Sequence, residues 1–170
     1  MMDDYQSVFL GLWLTLSTIV LQAMVLIRSH RRQKGYKVGV MDPSLGQDSF
    51  LFRSYRTFWN SLETIVPMFG MAVIAVLCGY SPYKLTLIVW VYAVTRIIHM
   101  LLYYVIATEK NPSIRSIFYI IGFFANVFLL VDLGLFLLGV ENHINSYIKH
   151  INLKHVSSKL SITFCGETIH

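Results

Sequence analysis

Four membrane-length apolar segments constrain this chain more than any other feature of its sequence. They predict spans at about residues 8–27, 56–79, 85–107 and 115–139. A hydrocarbon core of about 30 Å takes roughly 20 helical residues to cross. Within lipid every backbone polar group needs an internal partner, so such segments form helices. The sequence therefore predicts an all-α membrane protein: residues 1–139 form a bundle of four transmembrane helices, and residues 140–170 form a polar C-terminal tail.

The composition agrees with an integral multi-pass membrane protein. Of the residues, 55% are hydrophobic and 14% are charged, whereas soluble domains average about 45–50% apolar and about 25% charged. The pI near 9.3 is compatible with nucleic-acid binding, but the basic residues crowd beside an apolar segment, which favours membrane topology as their role. We therefore expect no nucleic-acid partner. Two cysteines are too few for a disulfide framework, and the histidines of the tail lack convincing metal-ligand spacing, so no metal is predicted.

The distribution of basic residues predicts the orientation in the membrane. Seven of the fourteen Lys and Arg lie between Arg28 and Arg56, around the first connection, and Lys110 and Arg115 flank the third. The N-terminus carries Asp3 and Asp4 and no basic residue before the first apolar segment. The positive-inside rule then places the first and third connections in the cytoplasm and both termini on the periplasmic or lumenal side. The acidic start also lacks the features of a secretory signal, so the first segment is expected to remain as a helix.

Three of the four predicted spans carry a stripe of polar side chains at helical spacing. The stripes are Arg56, Asn60 and Glu63 on the second span, Tyr92, Arg96, His99 and Tyr103 on the third, and Arg115, Tyr119, Gly122 and Asn126 on the fourth. A charged side chain inside an apolar helix is costly unless it faces protein, water or a ligand. Counting residues from the helix ends puts all three stripes in the cytoplasmic half of the membrane. Their convergence favours one shared site, and a purely structural ion pair between Arg96 and Glu63 is the alternative.

The charges of these stripes indicate the kind of ligand. Several arginines face a single acid, Glu63. A ligand for such a site is anionic overall and carries one positive group for the carboxylate to accept. A peptide-like molecule with two carboxylates and one ammonium group fits this description. A nucleotide is also compatible with the charge, but the chain has no glycine-rich phosphate loop.

Three short stretches give the chain a family resemblance. They are RTFWNSLETIVP (Arg56–Pro67), TRIIHMLLYY (Thr95–Tyr104) and IRSIFY (Ile114–Tyr119). Together they resemble the MAPEG family, the membrane-associated proteins in eicosanoid and glutathione metabolism, with the greatest similarity to its microsomal prostaglandin E synthase and microsomal glutathione transferase branch. The resemblance covers about residues 8–139. It implies a homotrimer of four-helix subunits that binds glutathione between neighbouring subunits near the cytoplasmic face.

The resemblance also implies roles for individual residues, which we carry over by position. Glu63 takes the glutamyl amino group of glutathione with help from Asn60, and Arg28, Arg56 and Arg96 engage carboxylates or order the residues around them. His99, Tyr103 and Tyr119 bond to the peptide, while Arg115 stabilises the thiolate with Ser116 as a nearby donor. The implied activity is that of a glutathione transferase or peroxidase, in which the thiolate attacks a lipophilic electrophile or reduces a lipid hydroperoxide.

One departure from the branch limits how finely the activity can be predicted. Trp59 stands where the prostaglandin synthase branch has another arginine, so a cationic contact is lost and the pocket rim is reshaped. We therefore predict general transferase or peroxidase activity and not prostaglandin synthesis. Two alternatives remain open: a non-catalytic lipid-binding scaffold of the same family, and a small proton-coupled transporter that uses Glu63.

Overall fold

Four long helices make up most of the protein. The computed structural model describes residues 3–33, 37–110 and 112–139. The helices are α1 (Gln6–Arg31), α2 (Phe50–Leu77), α3 (Pro82–Val105) and α4 (Ile114–Leu137), and a 3-10 turn at Asp3–Tyr5 precedes α1. Each helix is long and apolar enough to cross a membrane, and the described residues contain no strand. The prediction of an all-α protein with four membrane-spanning helices is confirmed.

The chain divides into two compact units, Met1–Val131 and Asp132–His170. The first unit holds α1, α2, α3 and most of α4. In the second, the described residues are 132–139, which complete α4 and end at Gly139 with a φ of 72°. The predicted polar tail, residues 140–170, lies outside the described residues.

Local capping explains where α2 begins and ends. α2 begins at Phe50, six residues before the predicted span, because the Ser49 hydroxyl accepts a hydrogen bond from the Phe52 N–H at 3.5 Å and caps the helix. The other end of α2 closes at Gly79, whose φ of 71° suits glycine. There the Tyr80 N–H donates to the Ala75 carbonyl at 2.9 Å, which gives the helix a Schellman ending.

The half of the bundle that holds the start of α1 and the start of α3 has an apolar core. Val8, Leu85 and Val89 are fully buried there. α1 and α3 approach closely at Gly11, since a Cβ on this glycine would lie 2.8 Å from Val89 Cγ1. The Tyr5 hydroxyl donates to the Tyr80 carbonyl and so ties the start of α1 to the α2–α3 turn.

Buried hydroxyl and amide groups connect α2 to α3 and α4 near the middle of the bundle. The Tyr92 hydroxyl of α3 donates to Thr64 Oγ1 of α2 at 3.0 Å. Asn126 Nδ2 of α4 donates to the Thr64 carbonyl at the same distance. α4 also lies close to α3 at Gly122, where a Cβ would be 3.1 Å from Arg96 Cδ. These contacts turn the polar stripes of three helices toward one another.

Candidate functional site

A polar cleft of about 550 Å³ lies among α2, α3, α4 and the two connections on the same side of the bundle. Eight of the ten predicted site residues line it: Arg56, Asn60, Glu63, His99, Tyr103, Arg115, Ser116 and Tyr119. They come from three helices that are far apart in the sequence. The structure therefore brings together most of the residues that helical spacing alone had grouped into three separate stripes.

Arg115 is the most firmly held group of the cleft. It is 5% exposed, and its guanidinium donates three hydrogen bonds: Nη1 to Gln47 Oε1 at 3.1 Å and to the Ile106 carbonyl at 3.2 Å, and Nη2 to the Thr108 carbonyl at 2.6 Å. Its Cζ lies 4.3 Å from the centroid of the Tyr103 ring. All of these partners are neutral. The guanidinium is therefore fixed in place while its charge stays available to a ligand, and its buried Nε has no hydrogen-bond partner within the described part of the chain.

His99 links α3 to the start of α4. Its ring is 2% exposed and lies between Tyr103 and Tyr119, with centroid distances of 5.4 and 5.7 Å. His99 Nδ1 is 2.9 Å from the Arg115 carbonyl, and because a carbonyl only accepts, Nδ1 is the donor. In a ring with one proton, Nε2 is then an acceptor, and it is buried with no hydrogen-bond partner among the residues that the structure describes. It can accept a hydrogen bond from an N–H or S–H group of a ligand.

Arg96 is buried and does not line the cleft, but its guanidinium stacks on the ring of a residue that does. It is 3% exposed, and its Cζ lies 5.3 Å from the centroid of the Tyr119 ring, which does line the cleft. Arg96 Nη2 donates to Ser61 Oγ at 3.4 Å, while Nε and Nη1 have no hydrogen-bond partner among the described residues. The Arg96 guanidinium therefore does not donate its hydrogen bonds to Glu63, as the alternative of a structural ion pair would require.

The polar residues of α2 are the most open part of the cleft. Arg56 and Glu63 are exposed and Asn60 is half-buried. Trp59 is 42% exposed and does not line this cleft. It lines a second cleft of about 440 Å³, whose lining is mostly apolar and includes Phe58. α2 thus forms a wall of both clefts.

Arg28 is the predicted site residue that the structure places elsewhere in the subunit. It lines separate clefts at the end of α1, one of them with Val25 and Phe50. The excess of basic residues in this region predicted the depth of Arg28 in the membrane, but depth does not determine which way a side chain faces. A role for Arg28 at the ligand stays a prediction.

Six lining residues were missed by sequence reasoning: Gln47, Thr108, Glu109, Lys110, Ser113 and Ile120. Ile120 lies in α4, and the other five lie in the connections that precede α2 and α4. Connections have no helical period, so no spacing pattern could have assigned these residues to the stripes. The charges that line the cleft now include two carboxylates, Glu63 and Glu109, and three cations, Arg56, Lys110 and Arg115. This set suits a ligand that carries both signs of charge with an anionic excess.

Comparison with known proteins identifies the family of the chain. No curated protein and no solved structure matches the chain. The sequence profile of the MAPEG family matches residues 8–135, a range that begins in α1 and ends within α4 and covers the three polar stripes. The match extends over most of the chain, and the protein therefore belongs to the MAPEG family.

Proposed function

We propose that this protein is an integral membrane enzyme that binds glutathione in the polar cleft and uses its thiolate as a transferase or peroxidase. Membership of the MAPEG family indicates a glutathione-related membrane function in general. The observation that carries the finer proposal is the state of Arg115. It is a buried guanidinium fixed by neutral partners in a cleft that also holds the carboxylate of Glu63.

The chemistry follows from the thiol of the ligand. A free thiol has a pKa of about 8.5, so little thiolate is present at neutral pH. A guanidinium stays charged and favours a nearby anion, so Arg115 lowers the pKa of the glutathione thiol. The thiolate sulfur then attacks an electrophilic carbon, forms a C–S bond and expels the leaving group. With a lipid hydroperoxide, the sulfur attacks the terminal peroxide oxygen, an S–O bond forms as the O–O bond breaks, and the leaving alkoxide takes a proton to become the lipid alcohol. The thiol of a second glutathione then displaces water from the resulting sulfenic acid and forms the disulfide.

The remaining cleft residues bind the rest of the tripeptide in this proposal. Glu63 and Asn60 receive the ammonium group, and Arg56 receives a carboxylate. His99 Nε2, which is buried and has no partner in residues 3–33, 37–110 and 112–139, accepts a hydrogen bond from a peptide N–H. Ser116, at the start of α4, supplies a hydroxyl near Arg115.

The surroundings of the cleft support a lipophilic second substrate. The mostly apolar cleft beside Trp59 lies on the neighbouring face of α2, where a substrate from the bilayer can reach it. The connections that line the polar cleft and the helix ends that flank them carry nine of the fourteen Lys and Arg, so we place the site near the cytoplasmic face and the termini on the opposite side. In the proposed homotrimer, Arg28 is supplied by a neighbouring subunit, since the cleft of one subunit lacks it.

A non-catalytic lipid-binding scaffold is the second candidate function. The apolar cleft of about 440 Å³ favours it. Such a protein needs no thiolate, whereas a proton-coupled transporter that uses Glu63 needs no glutathione. The formation of a glutathione thiolate therefore separates the enzyme from both alternatives.

Ultraviolet difference absorbance near 240 nm, which reports thiolate, tests the proposal on purified protein in detergent. We expect a signal when glutathione is added at neutral pH. In Arg115→Ala the thiol should titrate near its free pKa of about 8.5, so the neutral-pH signal should disappear. Arg32→Ala, which removes an exposed arginine at the end of α1, is the matched control and should keep the signal. A wild-type protein that gives no thiolate signal contradicts the proposal.

An activity panel then distinguishes the reactions. The two substrates are a chromogenic aryl halide and a lipid hydroperoxide, each with and without glutathione. We expect turnover that depends on glutathione and falls by about a hundredfold or more in Arg115→Ala, the size of effect seen when one electrostatic stabiliser of the reacting charge is removed. Turnover of neither substrate, together with saturable fatty-acid binding, would favour the scaffold.

A further inference from the structure

Gln47 bridges two helices that the proposed reaction uses. It lies in the connection before α2 and is half-buried. Its Oε1 accepts the hydrogen bond from Arg115 Nη1 at 3.1 Å, and its Nε2 donates to the Tyr103 hydroxyl at 3.4 Å. A guanidinium has no acceptor, so the amide atom that faces Arg115 must be the oxygen. The orientation of this amide is therefore determined by chemistry.

The backbone of Gln47 is held independently of its side chain. Its N–H donates to Glu109 Oε1 at 3.3 Å, and its carbonyl accepts from Arg53 Nη1 at 2.6 Å. Arg53 Nη2 also donates to the Tyr104 carbonyl at 3.4 Å, which ties the start of α2 to the end of α3. Because these contacts use main-chain atoms of Gln47, a substitution at this position changes the group that faces Arg115 and keeps the anchor of the connection.

The neutrality of the Arg115 partners is the informative feature. Gln47, the Ile106 and Thr108 carbonyls and the Tyr103 ring together orient the guanidinium without an opposing charge. A carboxylate lies on the connection that also carries Ile106 and Thr108. This carboxylate, Glu109, accepts a hydrogen bond from the Gln47 backbone N–H, and it is not among the hydrogen-bond partners of Arg115. A carboxylate hydrogen-bonded to a guanidinium offsets most of its attraction for a second anion, whereas an amide dipole offsets little.

We propose that Gln47 is a positioning residue that fixes the Arg115 guanidinium toward the cleft while leaving its charge uncompensated for the thiolate. The inference rests on the proposed glutathione chemistry and adds to it a residue from the first connection, outside the three polar stripes. It also gives that connection a part in the reaction, because the amide spans from Tyr103 at the end of α3 to Arg115 at the start of α4.

The pH dependence of thiolate formation tests this role. Glutathione-saturated protein is titrated at 240 nm in the wild type, Gln47→Glu and Gln47→Met. Gln47→Glu keeps the size of the side chain and places a carboxylate against Arg115. We expect it to raise the apparent pKa of the bound thiol by about one unit, the lower end of the effect of a neighbouring charge. Gln47→Met removes the acceptor without adding a charge and should raise the pKa less, with a lower kcat at little-changed KM for glutathione.

Gln6→Glu serves as the matched control. It introduces the same charge at an exposed position in the first turn of α1, whereas Gln47 lies in the connection that follows the last turn of α1. The pKa of the bound thiol should therefore stay at the wild-type value. If Gln47 had only a structural role, its substitution would lower the melting temperature and leave the pKa of the bound thiol unchanged.

The outcomes separate this inference from the proposed function. A wild-type thiolate whose pKa is the same in Gln47→Glu overturns the role of Gln47 and leaves the enzyme intact. If Gln47→Glu does not fold or bind glutathione, Gln47→Met decides, and a wild-type pKa there overturns the inference. Absence of a thiolate in the wild type overturns the proposed function and this inference together.

Discussion

The two halves of the bundle differ in the side chains that they bury. The apolar half, defined by Val8, Gly11, Leu85 and Val89, consists of closely packed helices with fully buried apolar side chains. In the polar half, defined by Arg96, His99 and Arg115, the helices bury charged and aromatic groups, and His99 of α3 hydrogen-bonds to the Arg115 carbonyl of α4. Because α3 contributes to both halves, the contrast along this helix lies in which side chains each turn buries.

The polar half lowers the folding stability of the protein, because it buries polar atoms that are not fully hydrogen-bonded. Arg96, His99 and Arg115 contribute four of the buried side-chain nitrogens that have no hydrogen-bond partner among the described residues. Each unsatisfied buried polar group costs about 1–3 kcal/mol, and more when it is charged. Selection for stability alone would replace such groups with apolar ones. We infer that the apolar half supports a polar half that is kept for binding.

The largest predicted effect breaks the apolar half alone. Gly11→Leu places a side chain where even a Cβ would lie 2.8 Å from Val89 Cγ1 and 3.6 Å from Trp90 Nε1. α1 and α3 must then separate, and we expect a loss of about 3 kcal/mol in the free energy of unfolding. Thermal unfolding in detergent measures it. The affinity of the folded variant for glutathione should stay close to that of the wild type.

Gly70→Leu is the matched control for this substitution. A Cβ on Gly70 would meet nothing within 4 Å, so the same change should leave the melting temperature nearly unaltered. A large loss of glutathione affinity in Gly11→Leu at temperatures where it is folded would show that the two halves are coupled and do not have separate roles.

The second predicted effect has opposite signs in stability and in binding. Arg96→Met removes a buried guanidinium, two of whose nitrogens have no hydrogen-bond partner in the described chain, and keeps a long side chain against Tyr119. Without glutathione, the variant should be more stable than the wild type by about 1 kcal/mol, since a poorly paired buried charge is lost. Its affinity for glutathione should fall by about tenfold, the equivalent of 1.4 kcal/mol, because a cation behind the cleft wall no longer attracts the anionic ligand.

Melting temperatures with and without saturating glutathione measure both parts of this prediction. Arg32→Met, at an exposed site, controls for the change in net charge. If Arg96→Met melts below the wild type when glutathione is absent, Arg96 stabilises the fold and the polar half is structural.

Sequence reasoning recovered what local patterns encode. The length of the apolar segments predicted four spans, and the period of 3.6 residues grouped His99 with Tyr103 and Arg115 with Tyr119, all of which line one cleft. The first turns of α2 were missed, because the helix starts at a Ser49 cap in a mixed polar segment where hydropathy is low.

The remaining parts of the site depend on tertiary packing, which no local pattern contains. Gln47 and Glu109 reach the cleft because the two connections fold back onto the ends of α3 and α4. That Arg115 is held by the Ile106 and Thr108 carbonyls follows from the path of a backbone segment with no repeating side-chain pattern. For Arg28, charge clustering predicted the depth in the membrane but not the direction of the side chain, and its role at the ligand stays a prediction.

The smallest predicted effect sharpens the comparison within the polar half. A Cβ added by Gly122→Ala would lie 3.1 Å from Arg96 Cδ and 3.2 Å from Thr95 Oγ1. Both contacts are slightly too close, so the flexible Arg96 stem shifts by a few tenths of an ångström and moves the guanidinium on the Tyr119 ring. We expect a loss of glutathione affinity of about threefold, less than 1 kcal/mol, with little change in melting temperature. Titration at 240 nm measures the affinity.

Gly70→Ala, which adds the same methyl group in open space, should bind glutathione like the wild type. The double variant Gly122→Ala with Arg96→Met then isolates the mechanism. If Gly122 acts only through Arg96, the double variant binds no more weakly than Arg96→Met alone, since interacting neighbours are not additive. Fully additive losses would mean that Gly122 acts on the cleft by another route, for example through the position of α4, and that the charge of Arg96 is not what distinguishes the polar half.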